Sequence, residues 1–197
     1  VKKLFTLVAA TLLVSLAPGR VDADDDGFRS GVFEPAREAP DFELDGSEGA
    51  KIKLSALRGK VVILQFGFSY CPKICPVTLA NVTEAFKLLG PAAAGVQHVF
   101  ITVDPERDSP ARLKEFLSFF NPTFLGATGS EEALDAVNKA YGVLANKAAS
   151  TDKKLGYEVH HSSSIYLVDR QGMLRVLVPF GKSPDAIAHD ITLLLKK

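Results

Sequence analysis

The chain of 197 residues contains no tryptophan, one methionine and only two cysteines. Two cysteines exclude a small fold stapled by several disulfides, since such scaffolds need multiple bridges to replace a hydrophobic core. An excess of either charge is also missing: 23 Lys and Arg balance 23 Asp and Glu, for a formal net charge of zero. That excludes a charge-driven binder of nucleic acid or anionic membranes, which must displace counterions with a basic surplus. Long apolar runs are absent too. The N-terminal run from Leu4 to Ala17 carries no charge but falls short of the ~20 residues that span a bilayer. What remains is a chain 47% hydrophobic and 23% charged, ordinary for one folded domain with a core.

The first residues read as an address. Val1-Lys2-Lys3 precedes the apolar run, and Val21-Asp22-Ala23 sets short side chains before Asp24-Asp25-Asp26. This is the pattern of an export signal over residues 1–23, cleaved near Ala23. The competing reading is a short anchor, in which case only this segment meets the membrane. No cysteine follows the run, so no lipid attachment is expected. Export places the chain in a periplasm or on the outer face of a membrane, where a cysteine pair can persist as a disulfide. Residues 24–38 read as a flexible polar lead-in, and residues 39–197 as one domain.

Within that domain, Phe42-Glu43-Leu44 and Ile52-Lys53-Leu54 flank Asp45-Gly46 and Glu48-Gly49, predicting a hairpin. Lys60 to Phe66 is nearly continuous in apolar residues, the pattern of a strand buried on both faces. Leu79, Val82, Phe86 and Leu89 recur at helical spacing and stop at Gly90. A second central strand follows at Val99 to Val103. Ser109-Pro110 then opens a helix running to about Phe120, by a capping hydroxyl followed by proline. Residues 130–141 carry a further helical stripe. Ser164–Val168 and Leu174–Pro179 pair around Asp169-Arg170-Gln171-Gly172, and Ser183-Pro184 starts a last helix. The succession β-α-β-α, helical insertion, β-β-α predicts an α/β, thioredoxin-like fold with an N-terminal β-hairpin and an inserted helical segment. Fold alone assigns no chemistry.

The chemistry lies in Gly67-Phe68-Ser69-Tyr70-Cys71-Pro72-Lys73-Ile74-Cys75-Pro76, directly after the central strand. Open α/β sheets place their ligands in the crevice beyond that strand end. Each cysteine precedes a proline, and such residues are pushed out of helical geometry. Cys75 is therefore expected as an N-cap with Pro76 at the first helical position, letting the two sulfurs approach each other or a shared ion. The helix N-terminus, and the charge of Lys73, favour thiolate. Three readings stay open: a structural disulfide, which closes too small a loop to stabilise much; a redox dithiol, with Cys71 and Cys75 catalytic; and a metal site, which needs further ligands.

Of four histidines, His98 and His189 lie in a strand and a helix and read as packing or solvent-facing residues. His160-His161 precedes the strand from Ile165, where a thioredoxin fold overhangs its active-site turn and commonly carries a cis-proline. No proline occurs between Pro122 and Pro179, so a histidine stands near that place. Two thiolates and one imidazole suit copper, while His160 as a fourth ligand keeps zinc open. The lone Met173 argues against a thioether-based copper carrier. Asp104, ending the second central strand, is either a weak metal contact or an Asp-Pro turn, and Asp108 is expected near a helix start.

Taken together, Ala39-Pro40-Asp41-Phe42, Phe66-Gly67-Phe68, the CPKICP run from Cys71 to Pro76, Val103 to Pro110, and His161-Ser162 before Tyr166-Leu167-Val168-Asp169 resemble the Sco/SenC family. These are copper-binding thioredoxin-like proteins of respiratory oxidase assembly. The resemblance implies one copper ion per chain, held by Cys71, Cys75 and His161. It also implies two partners: the copper-site subunit of cytochrome c oxidase, whose CuA centre would be served, and a copper donor protein. Lys73 stands where the family often has an acidic spacer, and His160 where an acidic residue commonly precedes the ligand histidine. The alternative is a thiol–disulfide oxidoreductase acting on extracytoplasmic thiols. A peroxiredoxin-like peroxidase is disfavoured, because Gly67-Phe68-Ser69-Tyr70 lacks the Pro and Thr expected ahead of the reactive cysteine.

Overall fold

The structure is a computed structural model and describes residues 27–149 and 156–196. The signal expected over residues 1–23 lies outside the described residues. Among the described residues, ten strands and four α-helices follow in chain order: β1 Gly31–Glu38, β2 Glu43–Gly46, β3 Lys51–Lys53, β4 Val61–Gly67, α1 Ile74–Leu89, β5 Val96–Thr102, α2 Pro110–Ser118, β6 Leu125–Thr128, α3 Glu131–Tyr141, β7 Ala145–Ala149, β8 Tyr157–His161, β9 Ile165–Val168, β10 Met173–Val178 and α4 Pro184–Lys196. Eight strands form one sheet in the order β1-β10-β9-β4-β5-β6-β2-β3, while β7 and β8 pair separately.

The centre is the anticipated thioredoxin-like arrangement. Strands β4 and β5 run parallel, joined by α1, and β9 and β10 add antiparallel strands beside β4. Every residue of β4 is buried, as its unbroken apolar run requires. Its period of two splits the core. Val61 and Ile63 face α1 and α4, with Leu79, Val82, Ile187 and Ile191. Val62, Leu64 and Phe66 face the other layer, with Leu134, Val137 and Tyr141 of α3 and Val159 of β8. The serine caps form as expected: Ser109 accepts from the Arg112 N–H and Ser183 from that of Ala186.

Three features depart from the expectations. Residues 31–38, expected within the flexible lead-in, form β1 at the sheet edge, pairing antiparallel with β10. An edge strand exposed on both faces carries no hydrophobic period to announce it. Strand β6 extends the parallel set beside β5 and connects it to the β2–β3 hairpin. The segment after α3 forms the β7–β8 hairpin, whose eventual role is to carry His161. Among the described residues no helix is long and apolar enough to cross a membrane.

Candidate metal centre

The site begins where β4 ends. Gly67 is fixed by crowding: a Cβ there would lie 2.6 Å from Cys75 Sγ and 2.8 Å from the Phe100 ring. From Gly67 the chain turns through Phe68–Lys73, with the Cys71 N–H donating to the Phe68 carbonyl. A buried carboxylate anchors this turn. Asp108 accepts from the Ser69 N–H at 3.0 Å, the Ser69 hydroxyl at 2.6 Å and the Thr102 hydroxyl at 2.7 Å. Burial holds its carboxyl above the usual value despite these donors. Asp108 thus adjoins the start of α2, as expected, but its side chain serves the cysteine turn.

The helix start corrects one expectation. Cys75 is not the N-cap: α1 begins at Ile74, with Lys73 at the N-cap and no side chain of its own capping there. Proline is tolerated at Pro76 because the first-turn N–H groups have no intrahelical acceptor to lose. Instead the Cys75 N–H donates to Cys71 Sγ at 3.4 Å, so a sulfur caps the helix. The two thiols consequently differ. Cys71 is half-buried, and hydrogen bonds from the Cys75 thiol and from the N–H groups of Cys75 and Lys73 pull its pKa down to about 3, against the opposing effect of burial. Cys75 is 1% exposed, and its hydrogen bond to Cys71, with burial next, pushes its pKa far up. The pair is thus polarised, with Cys71 biased toward thiolate and Cys75 toward the protonated thiol. Lys73 acts here through its backbone N–H.

His161 closes the group from β8. Its Nδ1 lies 2.8 Å from the Ser162 carbonyl oxygen. A carbonyl only accepts, so Nδ1 carries the proton and the lone pair sits on Nε2, 3.5 Å from Cys75 Sγ. The Phe68 ring meets the imidazole edge-on, with centroids 5.7 Å apart. The donor atoms of Cys71, Cys75 and His161 all lie within 4.8 Å of one another. Ligands each ~2.3 Å from one ion stand up to ~4.6 Å apart, so these three can share one with only side-chain adjustment. Beside them opens a cleft of about 370 Å³, lined by Phe68, Tyr70, Cys71, Tyr157 and His161 among others.

The remaining candidates do not join the group. His160 is exposed and, by strand alternation, sits on the opposite face of β8 from His161. Among the described residues no fourth His, Cys, Asp or Glu completes the cluster, which leaves the tetrahedral zinc reading without its ligand. Asp104 is fully buried but committed elsewhere, accepting from Arg107 Nε and the Tyr157 hydroxyl, both at 2.5 Å. His98 is buried in β5 against Gln65, and His189 adjoins Asp190 on α4. Sequence reasoning missed Ser69, Arg107 and Tyr157. Arg107 stands five residues beyond the end of β5, and the Tyr157 carbonyl that it holds lies 50 residues further along the chain, so no local pattern marks it.

Comparison with known proteins follows the same lines. The SCO1/SenC family model matches residues 32–196. A SCO2-like protein of Rickettsia felis is 38% identical over 132 residues, covering 67% of this chain and 64% of that protein. The structure of Bradyrhizobium japonicum ScoI with copper bound superposes with a TM-score of 0.73 at 33% identity, covering 80% of this chain and 99% of that one. BsSco, described as carrying a disulfide switch and as a member of the Sco family of cytochrome c oxidase assembly proteins, is 26% identical with a TM-score of 0.67, covering 82% of this chain and 95% of that one. With the family model spanning nearly all of the folded region and the sulfur–imidazole group in place, the chain belongs to the SCO1/SenC family.

Proposed function

We propose that the protein carries one copper ion as cargo, bound by Cys71, Cys75 and His161, and serves assembly of the CuA centre of cytochrome c oxidase. The observation that carries this is the imidazole. Its Nδ1 is pinned to the Ser162 carbonyl, so its free lone pair is presented to two sulfurs that lie within 4.8 Å of it and of each other. A soft thiolate pair with one imidazole is a donor set suited to copper. Copper-bound ScoI of B. japonicum and the assembly role stated for the Sco family support the reading. The partners are then a copper donor and the copper-site subunit of the oxidase, met outside the cytosol after export over residues 1–23.

The experiment is a Cu(II) titration of the reduced protein. It should yield one copper per chain and a thiolate-to-copper charge-transfer band, lost in Cys71→Ser, Cys75→Ser and His161→Ala alike. A wild type lacking that band overturns the reading.

A second function is favoured by the unequal thiols. The half-buried Cys71 thiolate attacks a target disulfide, its sulfur bonding to one target sulfur while the other leaves as thiolate. Cys75 then gives up its proton and attacks the mixed disulfide, forming Cys71–Cys75 and releasing the second target thiol. The target gains two electrons and the protein loses two. His161→Ala should keep this exchange while losing the Cu(II) charge-transfer band, so one variant separates the two activities.

A further inference from the structure

The β7–β8 hairpin that carries His161 shares no strand pairing with the eight-stranded sheet. Its attachment therefore has to come from side chains. Tyr157, Val159 and His161 alternate onto one face of β8. Val159 enters the core and His161 reaches the sulfurs, which leaves Tyr157 at the far end. There the Arg107 guanidinium lies 3.8 Å from the centre of the Tyr157 ring and donates to the Tyr157 carbonyl at 3.1 Å. The same guanidinium is paired with the buried Asp104, which also takes the Tyr157 hydroxyl. Its other side faces Phe68 and Tyr70, within 5.6 Å and 5.3 Å of the ring centres, and these residues flank the cysteine turn.

We infer that Arg107 is a positioning residue: it latches Tyr157, and through β8 holds the His161 imidazole at the two sulfurs. The inference rests on the copper reading for its functional meaning, though not for its geometry. Arg107 offers a planar fork, stacked on an aromatic ring and bonded to a carboxylate and a carbonyl at once. Lysine can supply the charge for Asp104 but not the fork or the stack. Arg107→Lys therefore keeps Asp104 compensated while removing the stack and the carbonyl bond that hold Tyr157.

The test is a double-mutant cycle of Arg107→Lys with His161→Ala, read as Cu(I) affinity by competition with a chromophoric chelator. Two thiolates still bind Cu(I) when the imidazole is gone, so both backgrounds are measurable. Arg107→Lys should weaken binding about tenfold in the wild-type background, as loss of an orienting partner of a metal ligand does. In the His161→Ala background it should change almost nothing. Equal losses in both backgrounds, or none in the wild type, overturn the inference. Histidine-ring NMR of the metal-free protein gives an independent reading: Arg107→Lys should shift the His161 ring resonances, and unchanged resonances count against the latch. Wild-type protein that binds no copper would defeat the copper reading, yet the NMR comparison would still decide on the latch. If Arg107→Lys fails to fold, Tyr157→Phe enters the same cycle. It removes only the hydroxyl bonds to Asp104 and Glu106 and should show the same dependence on His161 with a smaller factor.

Discussion

The cysteine turn and the histidine arm meet at one point but are secured in different ways. The turn is continuous with β4 at one end and α1 at the other, and buried groups of the main sheet hold it: Asp108 takes three of its and its neighbour's donors, and Gly67 packs against Cys75 and Phe100. The arm belongs to a two-stranded sheet and is held by a few side chains, Val159 in the core and Tyr157 against Arg107 and Asp104 among them. Disturbing the first should therefore disturb the whole fold, whereas disturbing the second should disturb the site alone.

The largest effect expected on this contrast comes from Asp108→Ala. It strips the acceptor from the Ser69 N–H, the Ser69 hydroxyl and the Thr102 hydroxyl in a buried setting. Unsatisfied buried donors cost on the order of 1–3 kcal/mol each, partly recovered by relaxation, so the loss should be about 3 kcal/mol in urea unfolding. A loss under about 1 kcal/mol would show that the turn is not anchored there.

Gly67→Ala comes next. The added methyl meets Cys75 Sγ and the Phe100 ring inside van der Waals contact, so a buried sulfur or a core ring must move. Overpacking of this kind costs about 2 kcal/mol, and displacement of Cys75 should also alter the copper charge-transfer band. Stability and band should fall together. A variant that keeps the band at wild-type position while losing stability would separate the turn from the site.

How much of this was legible in the sequence follows the same division. The apolar run of β4, the capped helices and the cysteine pair announce themselves within a few residues, because their causes are local. His161 was legible as well, through its place before β9. The β1 edge strand, the β7–β8 pairing and the Asp104–Arg107–Tyr157 contact were not, since an exposed strand has no period and a latch spanning residues 104 to 157 has no local signature. The misplaced start of α1 has a physical cause too. The restriction before Pro76 is overridden by Cys71 Sγ, which lies four residues upstream of Cys75 and accepts its N–H in the first turn.

His98 sharpens the cysteine side by pH. It is fully buried in β5 and accepts no charge there: burial depresses its pKa from 6.5 to about 3. It also touches Gln65, whose amide reaches the Cys75 carbonyl at 3.5 Å. The sign follows from proton uptake. The unfolded chain protonates this histidine below about pH 6.5 and the folded chain does not, so stability falls as pH drops from 6.5 toward 3. Over the first pH unit the loss should be about 1 kcal/mol. His98→Gln should flatten that part of the profile relative to wild type in urea unfolding at pH 6.5 and 5.5, and an unchanged slope would remove His98 from the account.

The smallest expected effect concerns Lys73 and asks what activates the attacking sulfur. The charge between the two cysteines would suggest the ammonium, whereas the structure credits hydrogen bonds to Cys71 Sγ, including one from the Lys73 backbone N–H. Those bonds survive any side-chain exchange at that position. With its pKa near 3, Cys71 should be alkylated by iodoacetamide at pH 5 while the protonated, buried Cys75 is spared. Lys73→Glu reverses an exposed charge that solvent and salt screen, so it should move the pH midpoint of Cys71 alkylation by less than about 0.5. A shift of more than about one pH unit, diminishing with added salt, would instead make the ammonium the activating group and demote the helix terminus.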